Sequence, residues 1–335
     1  MHLVELTERS SSIFMVQQAR KNGYPFFNRR PRGELYDWVN GAFQAYSQLG
    51  QVSVRPTTAI SPLSTMYEDI CHVAEDKRAT MIVLPFHKQW RCDGEDHEKK
   101  EINLGNAWRG VNQRVLQNAP RSVAVLVDRG FGNFEAQTPE PNKVVAQLIC
   151  ILFFGGPDDR EALELGGRMA DHPSIKVKVV RFVEKEDLES NGPHGPMSKP
   201  SPTKSTENSY SFSTTKMYRA KEKELDEAAV AEFRSKLVED GKAEYTEQVV
   251  ATNIVEGVLA IGRGGDQDLI IVGKGRFPSS MVVKLPDRQA EHPELGPVGD
   301  ILASSGHGVV SSVLVIQQHD VAHARASLGV QDSAW

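Results

Sequence analysis

Short runs of β-branched and aliphatic residues, each stopped by glycine or proline, constrain this chain more than any other feature. The clearest pair brackets the stretch from Asp268 to Gln318. Leu269 to Val272 is one run, ended by Gly273, and Val313 to Ile316 is the other. Between them lie a Gly/Pro-rich loop and a short helical pattern, Val298 to Ala303. Runs this short and this apolar read as strands covered on both faces, as in a parallel sheet. Strand, loop, helix and strand in that order make the last crossover of an open α/β sheet. A weaker copy lies upstream: Thr80 to Pro85 as strand, Val111 to Leu116 as helix, Ser122 to Val127 as strand. Repetition of the same parts in the same order predicts two halves built alike.

The rest of the chain fits that alternation. His2 to Leu6 and Gln51 to Arg55 read as strands, and Leu35, Val39, Phe43 and Tyr46 recur at helical spacing. Thr65-x-x-Glu68 and Asp158-x-x-Glu161 each predict a capping box at a helix start. In the second half, Val144 to Phe154 and Ile175 to Val183 read as strands. Val230, Phe233, Leu237 and Val238 mark a helix, Tyr245 to Val250 a strand, and Ile254, Val255, Val258 and Leu259 another helix. The stretch 184–216 has no apolar period and is rich in Ser, Pro, Lys and Asn. It buries too little apolar surface to offset its ordering entropy and reads as disordered. The fold expected is therefore α/β, with two tandem doubly wound parallel-sheet domains. The first covers 1–135 and lacks its own first strand and helix. A linker spans 136–143, the second domain spans 144–320 around the 184–216 insertion, and 321–335 is a disordered tail. A half without its central strand suggests a fragment or a shortened form.

Bulk properties exclude several classes. The 335 residues favour two domains. A formal net charge of −5 argues against nucleic acid, which needs a basic face. Cys71, Cys92 and Cys150 are odd in number and far apart, which fits reduced thiols better than a disulfide framework. The longest apolar run, Val144 to Phe154, is about half of the 20 or so residues a membrane span needs. The chain reads as soluble, with no secretion signal at its start.

Three segments carry a family resemblance. His2 to Ser11, Ile82 to Lys88 and Glu294 to Gly299 resemble, in order, the cytosolic C-terminal region of plant cation/proton antiporters of the CHX family; Val313 to Gln318 also fits. The resemblance implies two domains similar to universal stress proteins, attached to a membrane antiporter domain that exchanges K⁺ or Na⁺ for H⁺. It implies a regulatory region at the cytosolic face of an endomembrane or the plasma membrane, serving cation and pH homeostasis without transporting ions itself. Self-pairing of the two domains through Ser122–Val127 and Ser312–Ile316, or a homodimer, is a further expectation from the related fold. The alternative is a free-standing nucleotide-binding protein of the universal stress type.

The candidate site residues are few. No cofactor is expected; ATP is the one candidate ligand. It would lie at Gly273, Lys274, Gly275 and Arg276 with Gly299, where backbone N–H groups at a helix start face phosphate. Asp300 stands where such sites carry a hydroxyl, and Asp158 and Asp159 make the other loop acidic. His87 lies at the open strand ends and is a candidate pH sensor, since histidine titrates near pH 6.5; the competing reading is a solvated loop. Ser201 and Thr203, beside Lys199 and Lys204, are candidate phosphorylation sites. His307 and His319 read as surface residues. Cys92 with His97 is half of a zinc pattern, so no metal is expected. No acid, base or nucleophile constellation appears, so no enzyme is expected.

Overall fold

Contiguous apolar runs become strands here, and those in the middle of the sheet, β10 and β11 among them, are covered on both sides. A computed structural model describes residues 2–7, 55–92, 99–103, 105–131, 147–184, 209–250, 253–275, 285 and 290–319. It divides into two units, Met1–Thr80 with Gly105–Arg121, and Met81–Leu104 with Ser122–Trp335. Several expected features fall outside the described residues: the helix over Leu35 to Tyr46, the linker 136–143, the tail 321–335, and His97, Ser201, Thr203 and Arg276.

The first unit holds β1 (His2–Thr7) and β2 (Arg55–Ile60), paired in parallel with Leu3 opposite Pro56. Of the strand expected over Gln51 to Arg55, only Arg55 is among the described residues, where it begins β2. Two helices pack together in this unit, α1 (Met66–Asp76) and α2 (Asn106–Asn118). Arg114 ties them by donating to the Ser64 carbonyl at 2.7 Å. Met66 and Ala74 are buried on α1, and Val111, Val115 and Leu116 on α2, the spacing of one helical stripe.

The second unit is built on one seven-stranded sheet. Its strands are β3 (Met81–Pro85), β6 (Ser122–Val127), β7 (Gln147–Phe153), β8 (Ile175–Glu184), β9 (Ala243–Val250), β10 (Leu269–Gly273) and β11 (Ser312–Gln317). The spatial order is β3-β6-β11-β10-β7-β8-β9. Every neighbouring pair is parallel except β6 and β11, which run antiparallel with Val313 opposite Val127. The two strands expected to pair therefore do so, and the strands of both halves lie in one continuous sheet. A hairpin of β4 (Lys88–Cys92) and β5 (Lys99–Asn103) stands apart from it. No strand is expected there from the sequence.

Alternation along the strands sends side chains to two layers. Ile149, Ile151 and Phe153 of β7, with Val177 and Val179 of β8, share a core with Ala162 and Leu163 of α3 (Pro157–Ala170) and Val230 and Phe233 of α4 (Ser209–Phe233). Side chains of this size contribute roughly 1.5–3 kcal/mol each on full burial. Gly166 allows the close approach of α3, since a Cβ there would lie 2.2 Å from the Ile151 side chain. On the other face, Phe154 and Phe182 stack at 4.6 Å. There Gly257 of α5 (Ile254–Arg263) faces Phe182, and Gly299 of α6 (Gly296–Ala303) faces Val315. α4 begins at Ser209, inside the stretch read as disordered; residues 185–208 of that stretch lie outside the described residues.

Neither capping box forms. The Thr65 hydroxyl makes no capping hydrogen bond, and the Glu68 carboxylate instead accepts from the Tyr67 hydroxyl at 2.7 Å. At α3 the N-cap is Gly156, so Asp158 and Asp159 fall in the first turn and reach elsewhere.

Candidate functional site

Parallel strands of an open sheet end at one edge, and ligands of such folds gather there. In the second unit one polar cluster lies at this edge, and a second lies at the end of β3, which runs opposite to β10 and β11 and so ends at the other edge of the sheet.

The first cluster closes the ends of β7 and β10. Asp159 is buried, and one carboxylate oxygen accepts the Phe154 and Gly155 amides at 2.6 and 2.9 Å. Its other oxygen accepts the Gly273 amide at 2.8 Å. Only glycine fits at 273, because a Cβ would lie 2.2 Å from that oxygen. Burial pushes the Asp159 carboxyl up to about 7, against the pull of the three backbone amides and with a smaller push from Asp158. Asp158 accepts the Gln318 amide at 2.8 Å, just past β11. Asp226 on α4 takes the Gly156 amide at 3.0 Å and pairs with Arg160. Arg160 also binds Glu222 at 2.8 Å. Desolvation raises the Asp226 carboxyl, opposed by the Gly156 amide and Arg160. The backbone donors that a phosphate would use at this edge are thus directed at carboxylates of the chain itself.

The expected nucleotide residues fit into this closure. The Lys274 amide donates to the Ile316 carbonyl at 2.7 Å, and its ammonium donates to Gln317 at 2.9 Å. Gly275 has the left-handed φ of +73°, which suits glycine in a turn. Gly299 lets α6 approach β11, since a Cβ would stand 2.9 Å from Val315. Gly273 and Gly299 are therefore brought close to the same strand ends, each in a packing position. Asp300, the residue standing in for a hydroxyl, accepts the His292 amide at 2.6 Å.

The second cluster lies where β3 gives way to β4. His87 is 4% exposed, not solvated, and faces His292 at 1% and Glu294 at 6%. The His87 Nδ1 lies 3.8 Å from Glu294 Oε1, and the His292 Nδ1 lies 4.0 Å from the same oxygen. The other nitrogen of His292, Nε2, is 3.2 Å from Glu291. Glu291 in turn accepts from Lys88 at 2.8 Å, and that hydrogen bond holds its carboxyl below the usual range. Phe86 packs on both rings, with centroids at 4.1 and 5.0 Å. Local sequence explains the convergence. Pro293 starts a single 3₁₀ turn, Pro293–Leu295, closed by the Leu295 amide on the His292 carbonyl at 2.9 Å. That turn, pinned by Asp300, presents His292 and Glu294 to one side.

The sequence reading singled out His87 but missed His292, Glu291 and Glu294. The one available signal was the density of ionisable groups in Glu291-His292-Pro293-Glu294, just before an apolar helix. His307, read as a surface residue, is half-buried, and its Nδ1 lies 2.7 Å from the Ile301 carbonyl. Arg129 is a further buried cation that was missed. It donates to the carbonyls of Leu302 at 2.8 Å and Ser311 at 2.9 Å, under the ring of Trp90 at 4.7 Å. It closes the C-terminal end of α6, which is a structural task.

Comparison with known proteins adds context. Residues 1–131 match a family model described as plant cation/H(+) antiporter domain, and residues 146–317 match one described as plant cation/H(+) antiporter, C-terminal domain. Cation/H(+) antiporter 20 of Arabidopsis thaliana is 55% identical over 333 residues, covering 96% of this chain and 39% of that protein. Cation/H(+) antiporter 15 of the same plant is 40% identical over 321 residues, covering 95% of this chain and 36% of that protein. The chain thus spans well under half the length of these relatives. Among solved structures, a protein of unknown function from Pseudomonas aeruginosa aligns with 98% of this chain and 97% of its own, at 12% identity and a TM-score of 0.41. A universal stress protein from Archaeoglobus fulgidus aligns with 95% and 97%, at 10% identity and a TM-score of 0.39.

Proposed function

The chain belongs to the plant cation/H(+) antiporter family, and on that premise we propose that it is a regulatory region that tunes monovalent cation/proton exchange by an attached membrane domain. The observation that carries this reading is the pair of family matches covering both halves of the chain. It is supported by the helices, since among the described residues none is long and apolar enough to cross a membrane. Ion carriage across a bilayer needs ionisable groups held inside a membrane-spanning bundle. The work assigned to this region is therefore to bias the transporter and not to conduct. It acts on K⁺ or Na⁺ exchange from the cytosolic face and carries out no catalysis of its own.

This regulation does not use ATP. The support is chemical: Asp159, Asp158, Asp226 and Asp300 place carboxylates at the backbone amides where phosphate would otherwise be held. A second negative group at those amides would meet repulsion in a dry site.

The test is a full-length antiporter of this family, with and without this region, assayed for K⁺ uptake in cells lacking their own potassium transporters. Removal is expected to change the rate or its pH dependence while the membrane part still transports. Unaltered transport at every pH, or cation movement by the purified chain alone in liposomes, would overturn the proposal. Calorimetry with millimolar ATP is expected to give no binding heat.

A further inference from the structure

We propose that His87, His292 and Glu294 form a binding site for a divalent transition-metal ion, zinc(II) in the first instance. This goes beyond the regulatory reading and does not depend on it.

Three features point to metal. The first is the donor set. Two imidazoles and one carboxylate offer ligand atoms that all lie within 4.8 Å of one another, and all three residues are buried. Two neutral histidines and an anionic carboxylate suit zinc, a borderline ion that takes nitrogen and oxygen together. The second is geometry. Tetrahedral ligands at about 2.0–2.1 Å from zinc sit roughly 3.3 Å apart. The Nδ1 atoms of His87 and His292 stand 3.8 and 4.0 Å from Glu294 Oε1, about half an ångström beyond that edge, and all three ligand atoms lie within 4.8 Å, so an ion would draw the three side chains together. The third is the outer shell. His292 turns its Nε2 toward Glu291 at 3.2 Å, and Glu291 is held by Lys88 at 2.8 Å. A carboxylate on the far nitrogen fixes the tautomer that leaves Nδ1 free of its proton and raises its basicity as a ligand. Phe86 against both rings limits their rotation.

Three protein ligands leave one coordination position, which a solvent oxygen would take. The ion would clip the end of β3 to the turn before α6. A nitrogen that holds a metal cannot also hold a proton, so this site and the pH-sensor reading of His87 exclude each other when the ion is bound.

The experiment uses the whole chain, stripped with a chelator and titrated with Co²⁺ as a spectroscopic stand-in for zinc. One equivalent is expected to give the intense visible bands of a four-coordinate site, and Zn²⁺ is expected to displace them and raise the Tm. His292→Gln and Glu294→Gln should each weaken binding at least 100-fold. Since those buried variants can lose their fold, Glu291→Gln serves as the second variant. Its side chain is 46% exposed, so folding should survive. Loss of an outer-shell partner should weaken affinity by about 10–100-fold. Absence of four-coordinate bands in the parent chain would overturn the proposal. So would Glu291→Gln binding like the parent, or loss of the bands on Cys92→Ser in place of the histidine variants.

Discussion

Two helix starts in this chain read alike and behave differently. Thr65-x-x-Glu68 opens α1, and Asp158-x-x-Glu161 opens α3. At α1 the hydroxyl makes no cap and Glu68 turns to its neighbour Tyr67, on an exposed turn where water can serve the loose amides. At α3 the acids point inward, because Gly156 has already taken the cap position with a φ of +99°. Asp159 then collects amides from β7 and β10, and Asp158 collects one beyond β11. The lesson is that a capping signature states only that amides need acceptors. Burial decides which amides those are and how much depends on them.

The strongest way to break this contrast is Asp159→Ala. It would leave three amide donors without their acceptor, two of them buried; at about 1–3 kcal/mol for a buried donor, a loss of at least roughly 3 kcal/mol is expected in urea unfolding. A loss below 1 kcal/mol would mean that water replaces the carboxylate easily.

The pH dependence sharpens the point. The Asp159 carboxyl lies at about 7 in the folded protein, against about 3.9 unfolded. Between those values the folded state holds a proton that the unfolded state has released. The stability owed to this group is therefore fully present below about pH 4, declines as pH rises towards 7, and stays flat above. Asp159→Asn should remove that slope from a series of unfolding curves between pH 4 and 8. An unchanged slope would assign it to other groups.

Next in size is Asp158→Ala, which removes the acceptor of one amide, Gln318, and should lower stability by about 1–2 kcal/mol. Smallest is Thr65→Ala. A cap that is not made cannot be lost, so the change should stay within about 0.5 kcal/mol in the same assay. A true N-cap hydroxyl would cost about 1 kcal/mol on removal. That larger value at Thr65 would erase the difference between the two helix starts.

Legibility of the fold followed the same rule of burial. Strands β6, β10 and β11 were visible because both faces are covered and the whole run is apolar. Helices α2 and α5 were visible from their apolar residues, and α3 from the acidic start at Asp158. The β4–β5 hairpin was not, since Lys88-Gln89-Trp90-Arg91-Cys92 shows neither a run nor an alternation. The start of α4 at Ser209 was hidden for a similar reason, as its first turns carry polar and small residues without a period. The histidine cluster was hidden by distance: Lys88 and Glu291, which frame it, are 203 residues apart. Nothing local marks such a pair. The glycines at 273 and 299 carry two meanings in sequence, since close packing and phosphate binding both demand the absence of a Cβ; the structure adds what a Cβ would meet, Asp159 at one and Val315 at the other.

Strand β11 has a consequence for how the chain is made. It is the last strand in order among the described residues, yet it fills the slot between β6 and β10. While a ribosome is still adding residues before Ser312, both of those neighbours carry a raw edge of unused amides and carbonyls, the kind that recruits foreign strands. Nascent chains of this protein should therefore lean on chaperones until the final segment emerges. A stop codon shortly before Ser312 is expected to yield aggregates, not a smaller working piece.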